Sequence, residues 1–246
     1  MRLTFLGNGT MAEAMISRLL KSGYEIEVFG RDEKKLSIFR DKFDKKIEVF
    51  TYKNDTDISG KTVILCVKPH ALDKVSPFLE GEARLIISVL AGTSIETLKQ
   101  KIKAKNHIRA MPNIAATYGK SMTTITGDKA SKDEAVKILN SIGKALWVES
   151  EKELDIATIL AGSAPAFLAL VAESLMDGAV KEGLKRDDAF TLIKGLFEGF
   201  AELLEKYSHP AFIKDAVMSP GGVTAKGYAA LEKHKVRSAF METFKK

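Results

Sequence analysis

Hydrophobic positions in the first 150 residues fall into two alternating patterns. Short β-rich runs occupy 3–6, 25–29, 47–50, 62–67, 85–90 and 107–111, and Val63-Ile64-Leu65-Cys66-Val67 and Leu85-Ile86-Ile87-Ser88-Val89-Leu90 are almost continuously apolar. A strand with no polar face is buried on both sides, as in a parallel sheet covered by helices. Between these runs, 11–21, 33–43, 71–79 and 94–102 carry apolar residues at helical spacing. A further helix over 132–142 and a strand over 145–148 complete the stretch. Strand, helix and strand in succession predict βαβ units and a doubly wound, Rossmann-like parallel sheet.

After Glu149 the strand signals stop. The stretches 151–160, 166–184, 187–207, 210–217 and 236–244 fit helices rich in Ala, Leu, Glu and Lys. The first half of 166–184 is apolar on nearly all sides, with Phe167, Leu168, Leu170 and Val171. Such a helix needs neighbours on every side, and a second subunit can supply them. The expected organisation is α/β over 1–150 followed by an all-α domain over 151–246.

Composition narrows the class. The chain has 246 residues, 45% hydrophobic and 28% charged, which excludes disorder, collagen and a disulfide scaffold. Lys plus Arg number 38 against 32 Asp plus Glu, a net charge of +6 that is scattered in short pairs. That pattern argues against a nucleic-acid groove and favours anionic small molecules. The single cysteine, Cys66, reads as a small buried hydrophobe. With no signal-peptide pattern and no run of eighteen apolar residues, the expectation is a cytoplasmic protein without a membrane partner.

The run 3–6 leads into Gly7-Asn8-Gly9-Thr10-Met11-Ala12, a G-x-G-x-x-A pattern that opens a helix. Gly7 allows the tight turn, Gly9 lets backbone approach a pyrophosphate, and Ala12 permits close helix–strand packing. The helix start adds free N–H groups and a positive dipole end. A dinucleotide site follows. At the second strand tip, where an NAD site places a ribose-binding carboxylate, stand Gly30 and Arg31. Asp32 comes late and suits the cap of the next helix. The tip therefore favours NADPH, with NADH as the alternative; a solvated surface cation is the plain reading of Arg31.

Further clusters lie at expected strand ends or between helices: Val67-Lys68-Pro69-His70, Ala91-Gly92-Thr93, Arg109-Ala110-Met111-Pro112-Asn113, Gly162-Ser163-Ala164-Pro165-Ala166 and Ser219-Pro220-Gly221-Gly222-Val223-Thr224. Open α/β sheets place ligands at strand carboxyl ends. A Ser-Pro-Gly-Gly turn before a helix offers bare N–H groups to a carboxylate. In order, GxGxMA, VKP, SxxAG, RxMPN, GSxPA and SPGGxT resemble the pyrroline-5-carboxylate reductase family, and the resemblance covers nearly the whole chain. The chain departs from the family's usual pattern in having Ala164 and Phe167 within GSGPAY, Val223 within SPGGTT, and Ala115 where a proline commonly follows RxMPN.

The resemblance implies reduction of 1-pyrroline-5-carboxylate to L-proline by hydride transfer from NAD(P)H. It implies that Gly7, Asn8, Gly9, Thr10 and Met11 hold the pyrophosphate, and that Arg31 and Asn54 lie near the adenosine phosphate. Val67, Lys68, Pro69, Ala91 and Gly92 would line the nicotinamide side. Ser219, Gly221, Gly222, Val223 and Thr224 would take the substrate's carboxylate and ring nitrogen, and the family also implies a homodimer, often built into a decamer. Thr224 is the candidate donor to the imine nitrogen, and Met111 the candidate pocket wall.

Plainer roles compete at several positions. Ser219-Pro220 and Ser163-Ala164-Pro165 both suit helix N-caps with an early proline. Lys68 suits a surface pair with an acid, and His70 a helix start. The four histidines form no metal-ligand spacing. A hydroxyacid dehydrogenase of similar plan would carry a catalytic lysine in a G-x-x-G-x-x-x-K-like run, a context that Lys181 and Lys194 lack. A non-catalytic nucleotide-binding protein would have no use for an intact SPGGxT.

Overall fold

The computed structural model describes residues 1–52 and 55–245. The chain divides into two compact units, Met1–Ser163 and Ala164–Lys246.

In the first unit, β1 (Arg2–Leu6), α1 (Thr10–Lys21), β2 (Glu25–Gly30), α2 (Glu33–Asp41) and β3 (Glu48–Thr51) are followed by a short β4 (Thr56–Asp57) and by β5 (Thr62–Leu65). Next come α3 (Leu72–Val75), β6 (Leu79–Glu80), β7 (Leu85–Ser88), α4 (Ile95–Lys101) and β8 (His107–Met111). The series continues with β9 (Ser121–Gly127), α5 (Lys132–Asn140), β10 (Gly143–Trp147) and α6 (Glu151–Thr158). Eight strands form one sheet in the order β10-β9-β8-β7-β5-β1-β2-β3. Neighbouring strands run parallel except for β8 with β9, which pair antiparallel.

The apolar runs are buried on both faces, as their composition requires. Along β5, Ile64 joins the core on one face while Val63 and Leu65 join the core on the other, all fully buried. From β1 the chain moves outward through β2 and β3 on one side, and through β5, β7 and β8 on the other. The reversal falls between β1 and β5, the place where such sheets open a crevice at their carboxyl ends.

Three elements differ from the sequence pattern. The helix expected over 71–79 is broken into a 3₁₀ turn at Pro69–Ala71, the single turn α3 and a second 3₁₀ turn at Ser76–Phe78. Pro77 has no N–H to donate to a helix, and Leu79–Glu80 turns extended to pair with Thr56–Asp57. Strand β9 was unexpected because Thr123, Thr124 and Thr126 read as polar, yet all three are buried. Their β-branched side chains suit a pleated sheet. Finally, Ser163 caps no helix. Instead α6 passes through a π-turn, Ile159–Ser163, directly into the next helix.

The second unit comprises α7 (Ala164–Lys181), α8 (Arg186–Lys206), α9 (Pro210–Val217), α10 (Val223–Lys233) and α11 (Val236–Glu242). Helix α10 fills the space between the expected helices 210–217 and 236–244. Among its described residues only Ala189 and Ile213 are buried in the single chain. Leu168 (49%), Leu170 (63%) and Leu192 (63%) stand exposed. An all-helical unit with so little core of its own exposes a surface suited to a partner.

Candidate active site

The crevice between β1 and β5 is built by glycine. Gly7 has φ +108°, and a Cβ there would lie 2.8 Å from the carbonyl oxygen of Cys66, just past β5. Its N–H donates to Phe29 O at 2.8 Å, tying the turn to β2. Gly9 is the N-cap of α1, without a side-chain capping bond, and a Cβ there would meet nothing within 4 Å among the described residues. The N–H groups that open an α-helix have no acceptor within it; the first closing bond here is Glu13 N to Gly9 O at 3.0 Å. Thr10 is exposed, Met11 half-buried and Ala12 fully buried. Open amides, a positive dipole end and clear space above Gly9 fit a pyrophosphate.

At the tip of β2 the two charged neighbours do different work. Asp32 caps α2, accepting from Lys35 N at 3.0 Å. Arg31 is exposed and has no ion-pair partner among the described residues, which leaves its guanidinium available to a phosphate. Gly30 stays bare because a Cβ would press into Leu36 and approach the Asn8 side-chain oxygen to 3.3 Å. Phe29 stacks on Phe50 at 5.2 Å and on Tyr52 at 6.3 Å, forming an aromatic wall beside this tip. Tyr52, which the sequence pattern did not mark, has a buried hydroxyl with no hydrogen-bond partner among the described residues. Burial raises its pKa and keeps the phenol neutral, against a smaller opposing pull from Arg31. Its one signal in the sequence is its place just after β3. Asn54 lies outside the described residues.

Beyond the switch point, Val67 is half-buried and Lys68 and Pro69 are exposed at the end of β5. No acid pairs with Lys68 among the described residues. His70 is exposed in the Pro69–Ala71 turn. Cys66 is half-buried, and burial pushes its thiol pKa up, so it stays protonated. Ala91 and Gly92 are exposed after β7. Met111, at the end of β8, is only 6% exposed. The structure therefore gathers Gly7–Met11, Arg31, Val67–Pro69, Ala91, Gly92 and Met111 at one carboxyl edge.

The RxMPN run proves to be tied inward. Arg109, 3% exposed, pairs with Glu151 at 2.7 Å and Asp155 at 3.3 Å. Glu151 also accepts from Ile95 N at 3.0 Å, joining the starts of α4 and α6. A separate cleft of about 530 Å³ flanks α1, lined by Ser17, Lys21, Lys42 and Phe43. It shares only Thr10 with the edge, and Lys42 is already paired with Glu13 at 2.6 Å.

In the second unit, Ser219–Gly222 forms a turn closed by Gly222 N donating to Ser219 O at 3.1 Å. Gly221 has φ +72°, and a Cβ on Gly222 would collide with the Ser219 hydroxyl. Helix α10 starts at Val223 with Gly222 as an N-cap that makes no side-chain bond. Ser219-Pro220 is thus a turn ahead of the helix rather than its cap, because Gly221 turns the backbone left-handed between them. Val223 and Thr224 are exposed. The turn and uncapped helix start present N–H groups and the Ser219 and Thr224 hydroxyls together, a set suited to a carboxylate.

The first unit thus carries the marks of a nicotinamide-dinucleotide-dependent oxidoreductase. Residues 2–92 match the family model described as NADP oxidoreductase, coenzyme F420-dependent. Residues 151–246 match the model described as pyrroline-5-carboxylate reductase dimerisation. A pyrroline-5-carboxylate reductase of Helicobacter pylori is 35% identical over 246 residues, covering 98% of this chain and 95% of that protein. The crystal structure of 1-pyrroline-5-carboxylate reductase from Streptococcus pyogenes matches with a TM-score of 0.83 at 27% identity, over 99% of this chain and 96% of the other. A Plasmodium falciparum pyrroline carboxylate reductase with NADP bound matches with a TM-score of 0.81 at 26% identity, over 99% and 94%. The chain belongs to the pyrroline-5-carboxylate reductase family. It is an oxidoreductase that uses a nicotinamide coenzyme, and its helical region matches a dimerisation domain.

Proposed function

We propose that the chain reduces 1-pyrroline-5-carboxylate to L-proline, the last step of proline biosynthesis, with NADPH as the preferred donor and NADH as the second. Family membership over 98% of the chain carries this reading. When bound, the reduced nicotinamide supplies the hydride that the C=N carbon accepts. The residues position and polarise. Open amides from Asn8 to Met11 hold the pyrophosphate above the turn that Gly7 makes, while Arg31 faces the adenosine phosphate. Val67, Lys68, Pro69, Ala91 and Gly92 line the nicotinamide side, with Met111 behind them.

Ser219 and the amides of Gly221 and Val223 hold the substrate carboxylate, while the Gly222 N–H closes the turn on Ser219 O. The Thr224 hydroxyl donates to the ring nitrogen, drawing electrons from the carbon that receives hydride. The exposed turn and the uncapped start of α10 support these roles.

The helical run Glu151–Lys181, whose most apolar window has a mean hydropathy of 1.8 and is 6% buried, has the length and composition of a membrane span. The dimerisation model over 151–246 favours a subunit interface instead. We therefore assign a cytoplasmic homodimer, or a larger even assembly such as a decamer built from it, with no membrane or nucleic-acid partner.

The test is coenzyme oxidation by the purified protein, followed with 1-pyrroline-5-carboxylate, with 2-keto acids and with buffer. Oxidation with the cyclic imine alone is expected. Comparable rates with keto acids would assign the chain to C=O reduction, and no rate above buffer would make it a binding protein.

A further inference from the structure

Asn113, at the end of the Arg109–Asn113 motif, reaches Ala161, just ahead of the Gly162-Ser163 pair. Asn113 follows β8 and uses each of its polar groups. Its N–H donates to the Ser121 hydroxyl at 3.1 Å, its Oδ1 accepts from Ala115 N at 3.0 Å, and its Nδ2 donates to Ala161 O at 2.8 Å. The two side-chain partners fix which end of the carboxamide is which, since a main-chain N–H needs the oxygen and a carbonyl needs the NH₂.

Ala161 lies within the π-turn Ile159–Ser163. In a continuous α-helix its carbonyl would accept from residue 165, but that residue is Pro165, which has no N–H. Asn113 supplies the missing donor from another element. Just ahead, the Thr158 hydroxyl donates back to Leu154 O at 2.7 Å, an arrangement that bends helices. Arg109, two strand positions before Met111, grips the first two turns of α6 through Glu151 and Asp155. The segment 151–163 is therefore held to β8 at both ends, and its π-turn leaves Gly162 and Ser163 exposed. Single π-turns inside α-helices are frequent at functional sites.

The location gives this clamp its meaning. Pyrophosphate binds at the β1–α1 turn and the adenosine ribose at the tip of β2, so the nicotinamide half falls beyond β1, over β5, β7 and β8. We propose that Asn113 is a positioning residue for the reduction, holding the π-turn at the nicotinamide end of the coenzyme edge so that Gly162 and Ser163 border the place of hydride transfer. The inference rests on the reductase reading above. Hydride transfer is sensitive to displacement, and a shift of about 1 Å can cost up to about a hundredfold in rate.

The experiment compares wild type, Asn113→Ala, Asn113→Asp and the double variant Asn113→Ala/Pro165→Ala. Steady-state kinetics, NADPH titration, thermal melting and amide exchange over 159–166 without coenzyme are measured for each. Wild-type turnover of the imine, measured first, tests the reductase reading separately from the clamp. Asn113→Ala should lower kcat about tenfold, leave NADPH affinity within about twofold, and speed exchange in the turn. Asn113→Asp should lose as much kcat, because a carboxylate keeps the acceptor for Ala115 but cannot donate to Ala161. In the double variant the new N–H at position 165 can serve Ala161 O and close an α-turn. Melting temperature and exchange protection should then return while kcat stays low. Recovery of kcat together with stability would show a merely structural contact and overturn the proposal, as would wild-type kcat in Asn113→Asp. Unchanged exchange over 159–166 in Asn113→Ala would overturn the clamp itself.

Discussion

Alanine at Gly7 and at Gly9 should have opposite effects, because one glycine builds the crevice and the other serves its ligand. At Gly7 φ is +108°, and a Cβ would lie 2.8 Å from Cys66 O, 2.9 Å from its carbonyl carbon and 3.0 Å from Val67 N. These are main-chain atoms that cannot swing aside as a side-chain end would. Backbone strain of this kind costs about 1–3 kcal/mol, and forced overpacking about 1–3 kcal/mol more. Gly7→Ala should therefore lose about 2–6 kcal/mol. For a unit of this size each 1 kcal/mol moves Tm by about 2–4 °C, so melting should fall by at least several degrees, or folding should fail.

Gly9 sits at φ −84°, ψ −177°, a backbone that alanine adopts freely, with space around it. Restricting the unfolded chain stabilises by about 0.4–1 kcal/mol, while exchanging glycine for alanine at an N-cap costs a comparable amount. The two effects offset, and Tm should stay nearly unchanged. The new methyl group, however, stands above the open amides of α1. Losing a charge-assisted contact to phosphate costs about 1.5–3 kcal/mol, roughly ten- to a hundredfold in NADPH affinity. Thermal melting and fluorescence titration with NADPH read the two effects separately. Wild-type affinity in Gly9→Ala would place the pyrophosphate elsewhere, and wild-type melting in Gly7→Ala would refute the tight approach of β1 to β5.

Arg31→Ala should raise the KM for NADPH about ten- to a hundredfold and that for NADH far less; equal effects would remove Arg31 as a phosphate reader. Thr224→Ala should reduce kcat about tenfold, because the bond to nitrogen strengthens along the reaction, whereas Ser219→Ala should mainly raise the KM for the imine. Full kcat in Thr224→Ala would make that hydroxyl structural. Light scattering should give a homodimer or a larger even assembly, and an active monomer would contradict the interface assigned to α7. The Arg84 guanidinium, hydrogen-bonded to Glu134, holds that carboxyl below its usual range. The pair's stabilisation is present above the ordinary carboxylate pKa and lost as pH falls through the lowered value. Arg84→Met should thus melt below wild type at neutral pH, with the gap closing on acidification; a gap independent of pH would assign the loss to packing alone.

What the sequence makes legible follows from how locally each feature is encoded. Strands buried on both faces must be apolar at successive positions, so β5 and β7 are visible as runs, and the Gly7–Ala12 turn is visible because its geometry restricts residue type within six positions. Strand β9 is hidden because threonine is polar in composition while its branched Cβ fits a buried pleat. Asp32 was legible as a cap because a cap bonds three residues away. Arg109 and Asn113 stand out as a motif, yet their partners Glu151, Asp155 and Ala161 lie 42, 46 and 48 residues downstream. No local rule connects them. The same limit misdirects Ser163-Ala164-Pro165, where a proline after a small polar residue has the look of a helix start. In the folded chain its missing N–H is answered instead by a carboxamide from the end of β8, and the helix continues through a π-turn. A local pattern thus identified where the backbone is short of a donor, but only the tertiary structure shows which side chain supplies it.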